Sequence, residues 1–564
     1  MRHAAGPLCS VDLSTQTAGE DDIDDVLESF IGGRGVGTKL VHDRVPFDAD
    51  PLGPDNRLVL AAGPMQQSRM SFTGRASLTG VSPLTDGLVS SNAGGFLSRH
   101  LVGTGYGAIE FTGAADELLA VHVRPDGVEF EPVPNLEKAE VPEVTDYADE
   151  RWGLDPEQLI CIGPAGENEV RFASVMTTES RAFGRGGLGA VMGAKNLKVV
   201  TFEGDAAPDV EIEFPADAMD VHREAATSDH VMKRQGTTAG TDYANAVEAF
   251  PTRYFSEREF EGVEGINGDA VESKKYKKGT CSQCAFACKL PTKDEERGVE
   301  TEGPEFETVM AFGSNCAVDD IVDVMKSNEL CDRYGVDTIS CGDTIAAYLM
   351  ANDEFGNVEL IHELVEKIAF REGVGDLLAE GTHRAHGELG VHDWTVKGME
   401  FPAHDGRHLH GQGLSFATSN RGADHMYSSF YAVEYPYVDK SKAMDANGLG
   451  GKPERLVEKE NHNAVLDSGV VCKFSRDFID EETLASLLDT DYDHLQQIGN
   501  DIVTLERHFN NQRGFDRGDD TLPYDIPGFP SALSEYYGLR GWSEDGVVPA
   551  SAVGGGEETT PADD

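Results

Sequence analysis

Three cysteines within eight residues, Cys281-Ser-Gln-Cys284-Ala-Phe-Ala-Cys288, constrain this chain more than any other feature. Thiolates spaced C-x-x-C-x-x-x-C converge on one inorganic centre when the segment forms a loop opening a helix. A [4Fe–4S] cube needs four, one for each iron. The fourth has to come from a distant segment, so the fold must bring two far-apart stretches together. A Cys₄ zinc site is the alternative, but structural zinc takes its cysteines as closely spaced pairs. The intervening Ala285, Phe286 and Ala287 also suit a buried, water-poor cluster. Spacing alone leaves the fourth ligand open among Cys316, Cys331, Cys341 and Cys472. For Cys331 and Cys341, in apolar helical surroundings, a buried structural thiol is the default. Nine cysteines in so long a chain, three of them bunched, point to a metal or cluster rather than disulfides.

At 564 residues the chain exceeds one core and should form about two to four domains. No run of 18 or more apolar residues exists, and the start, MRHAAGPLCSVD, lacks the apolar core of a signal peptide. The expectation is a cytoplasmic protein with no membrane role. With 47 Lys+Arg against 100 Asp+Glu, the net charge of −53 excludes nucleic acid as a partner. Self-repulsion on this scale destabilises a compact fold in dilute buffer and is screened in concentrated salt. A halophilic, salt-rich cytoplasm is therefore expected.

Residues 1–205 read as β-rich, with strands at Arg57–Ala62, Ala108–Thr112, Leu119–Val123, Val128–Pro132, Leu159–Ile162 and Leu197–Glu203. The third and fourth flank Pro125-Asp126-Gly127, a hairpin signal. Gly204–Pro215 reads as a linker. Residues 216–395 turn helical, with apolar residues at helical spacing in Ile321–Tyr334, Asp343–Met350 and Val358–Phe370. A Gly/His/Arg-rich loop, Gly398–Arg421, opens a further helical part, 396–542, with helices over Glu481–Leu488 and Tyr492–Asn510. Residues 543–564 are Gly-rich and acidic, the composition of a disordered tail.

Three Gly-rich segments lie between the strands: Gly32–Gly37, Ser91–Gly95 and Gly184–Gly189. The last matches G-x-G-x-x-G, but no buried strand precedes it and no βαβ unit follows, which argues against a dinucleotide site. Backbone N–H groups freed of side chains approach anions closely. Three such loops beside Arg34, Arg75, Arg181 and Arg185 fit a large ligand with more than one phosphate; taken singly, each reads as an ordinary tight turn.

Read together, the segments resemble the aldehyde:ferredoxin oxidoreductase family over about residues 30–520, as a haloarchaeal-type member. The matching phrases are Gly32-Gly-Arg-Gly35, Ser82-Pro-Leu84 through Ser91-Asn-Ala-Gly-Gly95, Gly163-Pro-Ala-Gly-Glu-Asn168 and Arg185–Lys198. The cysteine run, Gly303-Pro-Glu-Phe-Glu307, Asp332-Arg-Tyr-Gly-Val-Asp337 and Thr418–His425 complete the set. The resemblance implies an α+β fold, with an N-terminal β-sheet-rich, saddle-like, pterin-binding domain followed by two mainly α-helical domains. It implies a tungsten or molybdenum bound by two molybdopterins, a nearby [4Fe–4S] cluster, and Mg2+ bridging the pterin phosphates. Asn92 and Ala182 would serve that magnesium through their carbonyls, within the segments Asn92-Ala93-Gly94 and Arg181-Ala182 to Gly184-Arg185. Arg75 would bridge pterin and cluster, and Asp332 and Asp337 would grip one pterin. The second grip, D-x-x-G-L-C in the family, reads Asp467-Ser-Gly-Val-Val471-Cys472 here, with glycine one place early and valine for leucine. Cys472 would be the fourth cluster ligand.

Oxidising an aldehyde to an acid needs a base for water's proton and a donor to the carbonyl oxygen. The resemblance places Glu307 as the base, with Glu305 its rival, and His425 as the donor. His404 stands where the family often has tyrosine, in His404-Asp-Gly-Arg407, and makes the pocket more polar. Ferredoxin would be the electron acceptor, and family members are often dimers. Two rival readings are another low-potential reaction on the same cofactors within a complex, such as acid or ring reduction, and a non-enzymatic zinc-binding scaffold.

Overall fold

A computed structural model describes residues 1–205, 214–435 and 443–553. The first 205 residues build twelve strands: β1 Leu8–Asp12, β2 Thr17–Asp21, β3 Leu58–Ala61, β4 Arg75–Val81, β5 Leu88–Gly94, β6 Ala108–Thr112, β7 Leu119–Arg124, β8 Gly127–Pro132, β9 Leu159–Cys161, β10 Val175–Thr177, β11 Arg181–Phe183 and β12 Leu197–Phe202. They form two six-stranded sheets, ordered β2-β1-β6-β3-β4-β5 and β11-β10-β9-β12-β7-β8. Pairing is antiparallel except for β1 with β6 and β7 with β12. One apolar core joins them: Leu60 and Leu78 from the first sheet meet Val121, Ile160 and Val200 from the second. Helix Leu188–Ala194 contributes Leu188, Val191 and Met192 to the same core. The fold is α+β, as expected, with helices dominating after residue 215.

Two expected loops are regular structure. Ser91–Gly95 is mostly the end of β5, paired residue for residue with β4, Arg75 opposite Gly94. Gly33-Arg-Gly-Val-Gly37 opens the helix Gly33–Arg44, and its glycines serve close packing. A Cβ at Gly33 would stand 2.3 Å from the Asp467 carbonyl, and one at Gly37 2.3 Å from Thr79 Oγ1. Arg34 is committed inside the protein, its Nε and Nη2 each 2.8 Å from a Glu506 carboxylate oxygen. No anion loop is needed to explain that segment.

The helices Ile321–Tyr334 and Val358–Phe370 fall at the expected bounds, and Asp343–Met350 lies within Thr338–Asn352. The tail expected from 543 is folded as far as 553. Arg507 Nε donates to the Gly546 carbonyl at 2.8 Å, and Val548 is buried beside Trp542. Composition missed it because one buried valine and one hydrogen bond to its backbone suffice to hold an otherwise polar segment. Residues 554–564, and 206–213 of the expected linker, lie outside the described residues.

Candidate active site

The thiol loop opens no helix. Residues 281–288 run through two successive turns, with Gln283 and Ala287 at positive φ, and lead into the strand Pro291–Asp294. Cys472 arrives at the end of helix Lys452–Ser468, and its N–H donates to the Phe72 carbonyl at 2.8 Å. Cys281, Cys284, Cys288 and Cys472 line one small chamber walled by Phe72, Phe286 and Phe474. Cys316, Cys331 and Cys341 are buried elsewhere in the helical core. Burial raises the thiols of Cys284 and Cys288, and the neighbouring Cys472 and Cys281 push both further up. Four thiolates this close require cationic charge among them, which is what a cluster supplies. A tetrahedral zinc with 2.3 Å bonds would hold its sulfurs about 3.8 Å apart. Among the described residues only His383, His386 and Asp393 form a group of three or more potential ligands with all ligand atoms within 4.8 Å of one another. The four sulfurs are therefore spread wider than a single ion requires.

Beside this chamber lies a cavity of about 480 Å³, and Arg75, Lys289, Phe474 and Cys472 line both. Arg75 Nη1 is 4.0 Å from Cys472 Sγ, and its Nη2 donates to the Asn92 carbonyl at 2.9 Å. Arg185, Arg421, Lys473 and Arg476 add positive charge to the cavity wall. Arg421 donates to the Ser90 carbonyl at 2.8 Å, and the guanidinium groups of Arg34 and Arg421 lie 3.5 and 4.6 Å from the centroid of the Tyr427 ring.

Glu307 sits in a single helical turn, Phe306–Thr308, that continues as a π-helical turn over Val309–Gly313, a distortion frequent at functional sites. Its Oε2 accepts the Ala403 N–H at 2.7 Å. Its Oε1 stands 3.3 Å from His425 Nε2 and 3.5 Å from His404 Nε2. Burial pushes the Glu307 carboxyl up to about 7, against the Ala403 N–H and Arg185. Burial drives His425 down to about 3 and His404 well below its usual range, so both imidazoles are neutral at physiological pH. His404, at φ 69°, stacks on Tyr431 with ring centroids 3.8 Å apart and planes 3° apart. Glu305, the rival base, is a different kind of group. Burial would raise it, but Lys289, the Thr237 hydroxyl at 2.6 Å and Arg181 hold it below its usual range.

The cavity wall also takes in Asn92, Gly184, Arg185, Asp467 and Val471. Asp467 accepts from Lys473 at 2.9 Å. Six expected cofactor residues do not line the cavity. Arg181 pairs with Glu302, and Ala182 opposite Met176 lies in the β10–β11 hairpin. Asp332, raised to about 8 by burial, accepts from Asn328 at 2.9 Å. Asp337 caps the helix Thr338–Asn352 and lies 3.7 Å from Arg185 Nε. Ala93 is packed in the shared sheet core. Gly94 leaves the space a Cβ would fill, 3.0 Å from Arg75 Nη1 and 3.2 Å from Cys281 Sγ. Sequence reasoning missed Tyr431, Arg421, Tyr427 and Lys473. For Arg421 a signal existed, since it shares with His425 the segment Thr418–His425.

The donor set fits an anionic, redox-active group. Four thiols, a cation-rimmed cavity and the buried polar atoms Asn92 Nδ2, His404 Nδ1 and His425 Nδ1, which have no protein partner, all await something the chain itself does not provide. The comparisons agree in class. The N-terminal domain of the family described as aldehyde ferredoxin oxidoreductase matches residues 8–204, and that family's domains 2 and 3 match residues 216–553. The tungsten-containing aldehyde ferredoxin oxidoreductase of Pyrococcus furiosus is 33% identical over 96% of this chain and 97% of its own. The Thermococcus kodakarensis protein of the same name is 32% identical with the same coverage. In fold, the chain is similar to the active-site complex BamBC of benzoyl coenzyme A reductase, with a TM-score of 0.83 at 22% identity over 98% of this chain and 97% of that one. A match over essentially the whole length makes this protein an oxidoreductase. More narrowly, it belongs to the aldehyde ferredoxin oxidoreductase family.

Proposed function

We propose that the protein oxidises an aldehyde to the carboxylic acid at a tungsten or molybdenum centre carried by two molybdopterins, and delivers the electrons through a [4Fe–4S] cluster to ferredoxin. The observation that carries this reading is Arg75, one guanidinium lying between the four-thiol chamber and the cavity that holds Glu307. Cys281, Cys284, Cys288 and Cys472 would hold the cluster. Arg75, Arg185 and Asp467 would hold the pterins from the cavity wall, with Arg181, Asp332 and Asp337 behind them and Gly94 and Val471 offering backbone. Asn92 and Ala182 would carry the magnesium. When bound, the tungsten or molybdenum centre would take two electrons from the substrate and the cluster would pass them on singly.

The chain's own residues handle protons and position. Water adds its oxygen to the carbonyl carbon, and the aldehyde plus water yields the acid, two electrons and two protons. Glu307 takes a proton from that water, since a carboxyl near 7 is poised to accept at neutral pH. Neutral His425 donates to the carbonyl oxygen, and His404, held flat against Tyr431, supplies a second donor. The acidic surface reads as adaptation to a salt-rich cytoplasm, and residues 1–205, 216–395 and 396–542 as three domains.

Anaerobically purified protein should contain iron together with tungsten or molybdenum, and should reduce a dye with aldehydes. Cys472→Ser should lose most of its iron while staying folded. Zinc in place of iron and a group-6 metal would overturn the reading.

A further inference from the structure

The segment 273–293 runs against the character of the whole chain. It carries Lys274, Lys275, Lys277, Lys278, Lys289 and Lys293 and no Asp or Glu, although acids outnumber bases 100 to 47 overall. It also contains the thiol loop. Bridges from Lys275 to Thr292 and from Gly279 to Lys289 fold the lysine run back along the strand that leaves that loop. Tyr276, Lys277, Lys278, Thr280, Gln283 and Lys293 are exposed on the resulting face.

The lysines divide into two groups. Lys274 is answered by Asp294 at 2.7 Å and Lys293 by Glu300 at 3.4 Å, and Lys275 donates to the Lys233 carbonyl at 2.9 Å. Among the described residues, no carboxylate oxygen lies within 4.0 Å of Lys277 or Lys278. Lys277 rests 5.1 Å from the centroid of the Tyr276 ring, which is itself 46% exposed. The Tyr276 hydroxyl donates to Glu300 Oε1 at 2.6 Å, so one carboxylate lies near Lys277 without closing on it. Aromatic rings are enriched in protein interfaces, and lysines at their rim steer and orient a charged partner.

We propose that Tyr276, Lys277 and Lys278 form the landing surface for a small acidic one-electron carrier protein, seated over the four-thiol chamber. The proposal deepens the ferredoxin reading and rests on the thiols holding a cluster. Over the rest of a molecule with 53 excess negative charges an acidic carrier is repelled, so a local cationic patch orients it as well as attracting it. Docking beside the thiols shortens the path for a single electron. No bond is made or broken, and two oxidised carriers leave reduced for each aldehyde oxidised.

The test is binding of a purified acidic ferredoxin to the iron-loaded protein, by titration at the lowest KCl that keeps the protein folded. Lys277→Glu with Lys278→Glu should raise Kd at least tenfold, leave iron content and dye-linked aldehyde turnover unchanged, and raise KM for the ferredoxin without changing kcat. The gap should close in multimolar KCl, where the screening length drops to about 3 Å or less. A Kd within twofold of the wild type overturns the proposal. So does an equal loss in Lys138→Glu, a control elsewhere on the surface, since that would be a bulk charge effect. A wild-type protein that loads no iron sinks the cluster reading itself, and the docking surface with it.

Discussion

At the scale of single residues, environment separates groups that the sequence could only tie together. Glu305 and Glu307 are two residues apart in one motif. Thr237 and Lys289 hold one ionised, whereas burial between two neutral imidazoles holds the other near 7. Glu307→Gln should therefore lower turnover by about 10²–10⁴-fold with metal content intact, and Glu305→Gln by much less. Because the base must be deprotonated, wild-type activity should rise with pH through about 7. Stability should move the other way. A carboxyl raised from 4.5 to about 7 binds its proton more tightly when folded, so its contribution is present below 4.5 and lost as pH rises through 7. Melts of the Gln variant should lack that decline, which makes it the more stable form at pH 8. If both proteins keep one pH profile for rate and for melting, Glu307 is not the base. The cysteine spacing made three of the four thiols around the small chamber legible in the sequence. The role of Tyr431 was not, because stacking on His404 depends on a contact no spacing encodes.

Elements were readable where their periodicity was apolar. β6 and the helix Ile321–Tyr334 fell at their expected bounds. β4 and β5 were not expected as strands, because beside the apolar face that carries Leu78 they bury hydroxyls as well. Ser77 meets Ser90 at 2.9 Å, and Thr79 meets it at 3.1 Å, giving small satisfied side chains where a strand pattern would show valine or leucine. The turn into Cys472 shows a local rule broken and offset. With glycine one place early, Val470 takes φ 53°. That conformation costs a β-branched residue about 1–3 kcal/mol. Its side chain is fully buried, and Cγ2 fills the notch where a Cβ at Gly33 or Gly63 would stand, 2.9 and 2.7 Å away. Val470→Ala keeps the strain and loses two methyls, about 2 kcal/mol. Val470→Gly loses slightly more burial but removes the strain. Glycine should thus match or exceed alanine in Tm, the reverse of the usual order in a buried site. Alanine melting several degrees above glycine would show that the turn is unstrained.

Across the whole molecule, charge is the property that composition made plainest and that the fold leaves least compensated. Many bases are already committed: Arg34 to Glu506, Arg540 to Glu460, Lys452 to Glu434 and Lys397 to Asp520, all buried. The remaining bases cannot neutralise a surface that shares in an excess of 53 acids. Mutual repulsion among those carboxylates is a long-range term, so it should respond to salt as screening does. The screening length falls from about 10 Å at 0.1 M to about 3 Å at 1 M, after which little repulsion is left to remove. Tm should therefore climb steeply between 0.2 and 1 M KCl and flatten above it. A climb that continues linearly to 3 M would instead mark salt exclusion from the surface, which strengthens burial without saturating. Equal melting temperatures at 0.2 and 3 M would mean that the acidic surface imposes no cost on folding, and the case for a salt-rich cytoplasm would fall with it.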